Sequence, residues 1–147
     1  MVDRKKVKEL FQHLKSYTEK LAVLSEFSVD EFKADDSKVD VAKDLSKVSV
    51  ETVLNISLNI LASEGFRSPR SYGESFKILV ENNIFPREFL LTSNQMVQYR
   101  NSLIHLSWQM DEKKIYDSTV KLLGDLNQFI GLIQAYLESE TASENCG

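Results

Sequence analysis

Apolar residues recur at helical spacing along most of the chain. The N-terminal segment alternates charged residues with apolar positions that follow the i, i+3, i+4, i+7 rule: Val7, Leu10, Phe11, Leu14, Tyr17, Leu21 and Leu24. This pattern predicts a first amphipathic helix. Residues 27–38 are predicted to form a connector with one helical turn at most, and Asp36 or Ser37 is a suitable N-cap for the next helix.

The same spacing predicts a second helix from about Val39 to Ala62. Its apolar side is expected to contain Val41, Leu45, Val48, Thr52, Val53, Ile56 and Ile60. Residues 63–73 are rich in glycine, serine and proline, which predicts a loop. A shorter helix, Gly73 to Glu81, follows this loop.

Asn82 to Pro86 interrupts the pattern, and Pro86 is suited to the start of a fourth helix. That helix is expected to carry Phe89, Leu90, Met96, Val97, Leu103, Ile104 and Trp108. Met110-Asp111 is a candidate cap for a last helix from about Glu112 to Leu137. The apolar positions of this helix are Ile115, Val120, Leu122, Leu123, Leu126, Phe129, Ile130, Ile133 and Leu137.

The composition supports a single helical domain. The 147 residues include only two prolines and five glycines, too few breakers for a domain of many β-strands. We therefore predict an all-α, up-and-down bundle of four long helices plus a short one. This domain is expected to cover residues 1–138, and the polar, acidic residues 139–147 are expected to form a disordered tail.

Charge and cysteine content exclude several classes of protein. No apolar run approaches the roughly 20 residues of a membrane helix, and the N-terminus has no signal-peptide core, so a cytoplasmic location without membrane contact is expected. The single cysteine, Cys146, excludes a disulfide framework and a zinc site built on paired cysteines. The net charge of −4 argues against a general nucleic-acid-binding surface but permits a small basic site.

The two histidines lie in different surroundings. His13 is expected on a solvated helix face, whereas His105 follows Arg100 and Asn101 in an otherwise apolar segment, QYRNSLIHLSWQMD. Asn101 and His105 are four residues apart and share a helix face. Arg100 and His105 point about 140° apart with about 7.5 Å of rise, a separation that the long arginine stem can partly bridge.

These three side chains suit phosphoryl transfer within RNA. Histidine, with an ordinary pKa near 6.5, can accept the proton of a ribose 2′-hydroxyl, and arginine can stabilise charge on the phosphate. Asparagine can hold a phosphate oxygen or orient the imidazole. This scheme needs no metal or cofactor, and the sequence shows no ligand cluster at metal-binding spacing. Spacing alone favours a different interpretation, a structural polar cluster.

The segment from about Val39 to Leu137 resembles the HepT-like branch of the HEPN superfamily. The resemblance lies in VLNISLNILASEGFRSPRSYGESFKILVENNIF, MVQYRNSLIHLSW and MDEKKIYDSTVKLLGDLNQFI. The superfamily's hallmark is an arginine and a histidine a few residues apart, commonly with asparagine after the arginine. Here the hallmark corresponds to Arg100, Asn101 and His105. The resemblance implies a homodimer that joins two motifs into one ribonuclease site, and a toxin paired with a minimal nucleotidyltransferase antitoxin.

One position departs from the family pattern. Family members have a tyrosine two residues after the histidine, which the antitoxin can modify with AMP, and here that position is Ser107. Modification of another residue, such as Tyr99 or Tyr116, or direct masking by the partner are the alternatives. Two hypotheses follow: a metal-independent endoribonuclease toxin that acts on RNA, or a non-catalytic nucleotide-binding or interaction subunit of a nucleotidyltransferase.

Overall fold

The computed structural model describes the backbone of residues 4–146 and the side chains of residues 4–140. It contains six α-helices and one turn of 3-10 helix, and no strand within that range. The α-helices are α1 (Arg4–Ser25), α2 (Val29–Lys33), α3 (Asp36–Glu64), α4 (Tyr72–Glu81), α5 (Phe89–His105) and α6 (Glu112–Cys146). The 3-10 turn, Ser107–Gln109, joins α5 to α6. The predicted all-α bundle is thus confirmed.

The long helices α1, α3, α5 and α6 alternate in direction. Arg4, at the start of α1, pairs with Glu140 in the last part of α6, so these two helices are antiparallel. Tyr136 of α6 donates a hydrogen bond to Glu64 at the end of α3, which makes α3 and α6 parallel neighbours. Helices α4 and α5 pack against α3, and α5 also contacts α6. The arrangement is the predicted up-and-down bundle.

The hydrophobic core lies between the long helices. The predicted apolar side of α1 is confirmed, because Val7, Phe11, Leu14, Leu21 and Leu24 are buried. In the same core, phenylalanine rings from α4, α5, α6 and the α4–α5 connection stand 5.1 to 6.4 Å apart: Phe76, Phe85, Phe89 and Phe129. This aromatic cluster fixes the start of α5, the helix that carries the motif.

The connector between α1 and α3 contains the one helical turn that was expected. This turn is α2, and a capping box stabilises its N-terminus: Ser28 and Glu31 exchange side-chain-to-backbone hydrogen bonds. The N-cap of α3 is Asp35, one residue before the predicted Asp36 or Ser37. Its carboxylate accepts the Ser37 amide at 2.9 Å, and Asp36 is already helical.

The predicted ends of α5 were wrong at both sides. Pro86 belongs to a turn in which its carbonyl accepts the Phe89 amide, and α5 begins only at Phe89. At the other end Leu106 leaves the helical region, with φ −130° and ψ 13°, so the helix stops at His105. Trp108 therefore lies in the 3-10 turn and is 80% exposed, not part of a helical core face.

Helix α6 begins as predicted and continues further. The Asp111 carboxylate accepts the Lys114 amide at 2.8 Å, which confirms the cap before Glu112. The helical backbone runs to Cys146, although residues 139–147 were predicted to be a disordered tail. Extending an existing helix costs far less than nucleating one, and no glycine or proline precedes Gly147 in this stretch. Gly147 itself lies outside the described residues. No helix in the described range is long and apolar enough to cross a membrane.

Candidate active site

The last turns of α5 carry the motif. Met96 and Leu103, seven residues apart on one side of the helix, are buried and anchor it to the core. Asn101 and His105 are exposed on the side that faces away from this anchor. Because α5 ends at His105, the imidazole stands at the open end of the helix.

Arg100 is held by two hydrogen bonds. Its Nη1 donates to Asn101 Oδ1 and its Nη2 to Glu51 Oε1 of α3, both at 3.2 Å. Only 21% of the Arg100 side chain is exposed, and its Nε is buried without a hydrogen-bond partner in the part of the chain that the structure describes. The guanidinium is therefore positioned at the α3–α5 junction beside Asn101.

His105 stands apart from this pair. Over residues 4–140 we find no hydrogen bond to its ring, and Arg100 bonds to Asn101 and Glu51 instead. The structure thus brings Arg100 and Asn101 together and leaves His105 beside them on the same exposed end of α5. An exposed imidazole without an intramolecular partner can accept a proton from a bound ligand.

Exposed apolar residues flank His105 in the sequence. Ile104 is 43% exposed, Leu106 44% and Trp108 80%. We call these three residues the apolar rim. Ser107 lies between Leu106 and Trp108 and is half-buried, and its carbonyl accepts the Met110 amide at 3.2 Å. The serine is therefore part of the turn that ends the motif.

The two candidate tyrosines face the interior. The Tyr99 hydroxyl is 3.5 Å from Thr119 Oγ1 of α6, and burial raises the pKa of Tyr99. Tyr116 donates a hydrogen bond of 2.6 Å to the Phe27 carbonyl. Both hydroxyls are engaged within the bundle, which disfavours them as modification sites. His13 is exposed on α1, as predicted.

Glu51 is the site residue that the sequence did not predict. It is 49 residues from Arg100 in the chain, and no local pattern connects the two positions. The available sequence signal was a charged residue between Val50 and Thr52, positions that the structure shows to be buried. We find no group of three or more metal-ligating side chains among the described residues.

A family model supplies independent information on this chain. The model described as ribonuclease HepT-like matches residues 8–133, which include Arg100, Asn101, His105 and Glu51. The chain belongs to the HepT-like ribonuclease family. The resemblance noted in the motif therefore extends over most of the bundle. No curated protein matches the chain in sequence.

Several solved structures share this fold. The cytosolic protein of unknown function YutE from Bacillus subtilis is 20% identical, with a TM-score of 0.78 over 95% of this chain and 93% of that one. A toxin–antitoxin structure with AMP-PNP is 21% identical, with a TM-score of 0.77 over 88% and 97% of the two chains. The tri-AMPylated Shewanella oneidensis HEPN toxin in complex with MNT antitoxin is also 21% identical, with a TM-score of 0.78 over 88% and 96%.

Proposed function

We propose that this HepT-like protein is a metal-independent endoribonuclease toxin. The observation that supports this most directly is the placement of Arg100, Asn101 and His105 on the exposed end of one helix. Family membership supplies the reaction class, because the matching model describes a ribonuclease. In this proposal the substrate is RNA.

The chemistry assigns one role to each side chain. The His105 imidazole accepts the proton of a ribose 2′-hydroxyl, and the 2′-oxygen then attacks the adjacent phosphorus. The bond from phosphorus to the 5′-oxygen breaks, which leaves a 2′,3′-cyclic phosphate and a 5′-hydroxyl. Arg100 stabilises the charge that gathers on the non-bridging oxygens. The Asn101 Oδ1 accepts a hydrogen bond from the guanidinium and holds it in place, which leaves the Asn101 amide NH2 to donate a neutral hydrogen bond to a phosphate oxygen.

The leaving 5′-oxygen needs a proton donor. A single copy of the motif supplies only the base that accepts the 2′-hydroxyl proton. A symmetric homodimer would bring a second His105 to the same cleft, where its imidazolium could act as the acid. The apolar rim beside His105 supports this arrangement, because exposed apolar patches mark surfaces that become buried in complexes. The proposed dimer therefore completes the catalytic set.

The proposed partner is a minimal nucleotidyltransferase antitoxin. Two structural relatives are toxin–antitoxin complexes, one of them an AMPylated toxin with MNT antitoxin. These relatives resemble this chain in fold alone, so the antitoxin partner is proposed from family membership. Ser107 stands where the family has a tyrosine, and the partner is therefore proposed to mask the His105 cleft.

The second candidate function is a non-catalytic subunit of a nucleotidyltransferase. One observation favours it: the Glu51 carboxylate lies against Arg100 and partly neutralises the cation that would stabilise the transition state. In this role the surface around His105 would bind the transferase without cleaving RNA.

An assay of total-RNA cleavage in EDTA distinguishes the two candidate functions. It compares the unaltered chain with His105→Ala. The toxin proposal expects cleavage that survives EDTA and is lost in His105→Ala. A Mg²⁺ requirement, or full activity in the variant, would refute the mechanism. Binding of the transferase without any RNA cleavage would establish the second candidate.

A further inference from the structure

An open cavity lies beside the loop that joins α3 to α4. It encloses about 400 Å³, and the residues that line it are Leu58, Pro69, Arg70, Ser71 and Tyr72. Leu58 and Pro69 provide apolar walls, and Tyr72 is 48% exposed. The cavity thus combines an apolar floor, an accessible aromatic ring and a cationic side chain.

Arg70 differs from its neighbour Arg67 in its partners. The Arg67 guanidinium bonds to Glu74 and Glu81, each at 3.0 Å. The Arg70 amide also donates to Glu74, but the exposed Arg70 guanidinium makes no ion pair within the described residues. Because Arg67 already neutralises Glu74, Arg70 keeps its charge available to an anion.

Two contacts place this cavity near the motif. On α3, Glu51 bonds to Arg100 and Leu58 lines the cavity, and these positions share a face because they are two turns apart, about 10.5 Å along the axis. On α5, Asn94 Oδ1 lies 3.5 Å from the position of a Cβ on Gly73, which directly follows Tyr72. Asn94 precedes Arg100 by six residues, about 9 Å. Along the axes of α3 and α5, the cavity is therefore offset from Arg100 by about 9 to 10.5 Å.

We propose that this cavity is a second subsite for the RNA strand, in which Tyr72 stacks on a base and Arg70 binds a phosphate near the one that is cleaved. The inference rests on the proposed ribonuclease function and deepens it. A few nucleotides of single strand span the distance to Arg100. Stacking on an aromatic ring tolerates any base, since every base has a π-face. The subsite therefore adds affinity without sequence selection and gives longer RNA an advantage over a dinucleotide.

The test uses Arg70→Gln and Tyr72→Leu, two changes at exposed positions. Lys77→Gln is the matched control, because it removes an exposed charge from α4 outside the cavity. Binding of a labelled single-stranded RNA of about ten nucleotides is measured on the non-cleaving His105→Ala background. Each cavity variant is expected to weaken binding about tenfold, the scale of one lost stacking or phosphate contact. The control should bind as the background does.

Kinetics on the cleaving background provide the second readout. The cavity variants should raise KM for the longer RNA and leave kcat unchanged, because they remove binding that ground state and transition state share. Cleavage of a dinucleotide, which is too short to reach the cavity, should be unaffected. Unchanged circular dichroism would verify that the variants fold.

The outcomes separate the subsite from the ribonuclease proposal. Cleavage by the unaltered chain with no effect of Arg70→Gln or Tyr72→Leu overturns the subsite alone. Binding that depends on Arg70, without cleavage, supports the subsite and overturns the ribonuclease. Absence of RNA binding overturns both. If the variants weaken only the binding of the antitoxin, the cavity is a protein contact and the subsite is refuted.

Discussion

The Glu51 carboxylate lies 3.2 Å from the Arg100 guanidinium and joins the middle of α3 to the last turns of α5. Glu51 is nearly half exposed, so solvent screens the pair and its contribution to stability is modest, about 0.2–1 kcal/mol. The ion pair has a larger effect on the geometry of the site than on stability. The contact fixes the direction of the guanidinium, and the second hydrogen bond to Asn101 completes that orientation.

Two substitutions of Glu51 are expected to separate the effect of its charge from its effect on the orientation of the Arg100 guanidinium. Glu51→Gln keeps an oxygen that can accept the Arg100 hydrogen bond but removes the negative charge that opposes a phosphate. We expect RNA affinity to rise about twofold to fivefold, as loss of one screened charge interaction allows. Glu51→Ala releases the guanidinium and should lower kcat. Steady-state cleavage kinetics measure both, and equal loss of kcat in the two variants would contradict the separation.

Within the motif, the three residues are expected to differ in importance. His105→Ala and Arg100→Ala should each lower kcat by about 10²–10⁴, because one removes the base and the other the cation. Asn101→Ala should cost less, because it removes a neutral hydrogen bond. His13→Ala is the matched control, an exposed histidine on α1. Cleavage assays that rank Asn101 above His105 would contradict these roles.

The apolar rim is expected to form the dimer interface. Trp108→Glu changes a side chain that is 80% exposed, so the fold should tolerate it, while a buried charge at the interface should yield monomers. Cleavage should fall with dimerisation, since the two motifs separate. Val23→Glu, on α1, is the control at another exposed apolar position. Sedimentation at micromolar concentration is the measurement. A monomeric unaltered chain, or a dimer unaffected by Trp108→Glu, would exclude this interface.

The contact between Tyr136 and Glu64 predicts a pH dependence of stability. Burial, then the hydrogen bond to Glu64, raises the pKa of Tyr136. Its stabilisation is present below the unfolded tyrosine pKa of about 10 and is lost as the pH rises towards the higher folded value. Tyr136→Phe should reduce the free energy of unfolding by about 1 kcal/mol near neutrality. Urea unfolding should show that this difference shrinks above about pH 10. A constant difference would argue against the shifted pKa.

Apolar periodicity predicted the helices well where the regularly spaced apolar residues are the ones buried in the core, as in α1. It failed where small polar residues fill the interior. Ser46, Ser49 and Ser57 of α3 are buried, whereas the predicted core residue Val41 is 46% exposed. The Ser57 hydroxyl donates to the Val53 carbonyl at 2.9 Å, so a serine can be buried without losing its hydrogen bond. A pattern of apolar letters does not contain that information.

The motif could be predicted from the sequence, but its setting could not. Arg100, Asn101 and His105 are close in the chain, and helix geometry alone gave their spacing and relative directions. The Glu51 contact depends on how α3 and α5 pack, and the end of α5 depends on Leu106 leaving the helical region. Both result from tertiary structure, which overrides local sequence preference.

Neutralisation of the proposed toxin should not depend on AMP at Ser107. The half-buried Ser107 lies in a tight turn, its hydroxyl extends much less far than a tyrosine's, and it is a weaker nucleophile at neutral pH than a phenol with a pKa of about 10. Tyr99 and Tyr116 have hydroxyls engaged inside the bundle. The antitoxin should therefore bind and mask the His105 cleft.

Mass spectrometry after co-expression with the neighbouring transferase tests this directly. We expect an intact mass without added AMP, a stable complex and no RNA cleavage by that complex. Ser107→Ala should be neutralised as well as the unaltered chain, because masking of the His105 cleft does not use the serine hydroxyl. Adenylylation found on Ser107, together with escape of Ser107→Ala from neutralisation, would overturn masking and restore modification as the control of this site.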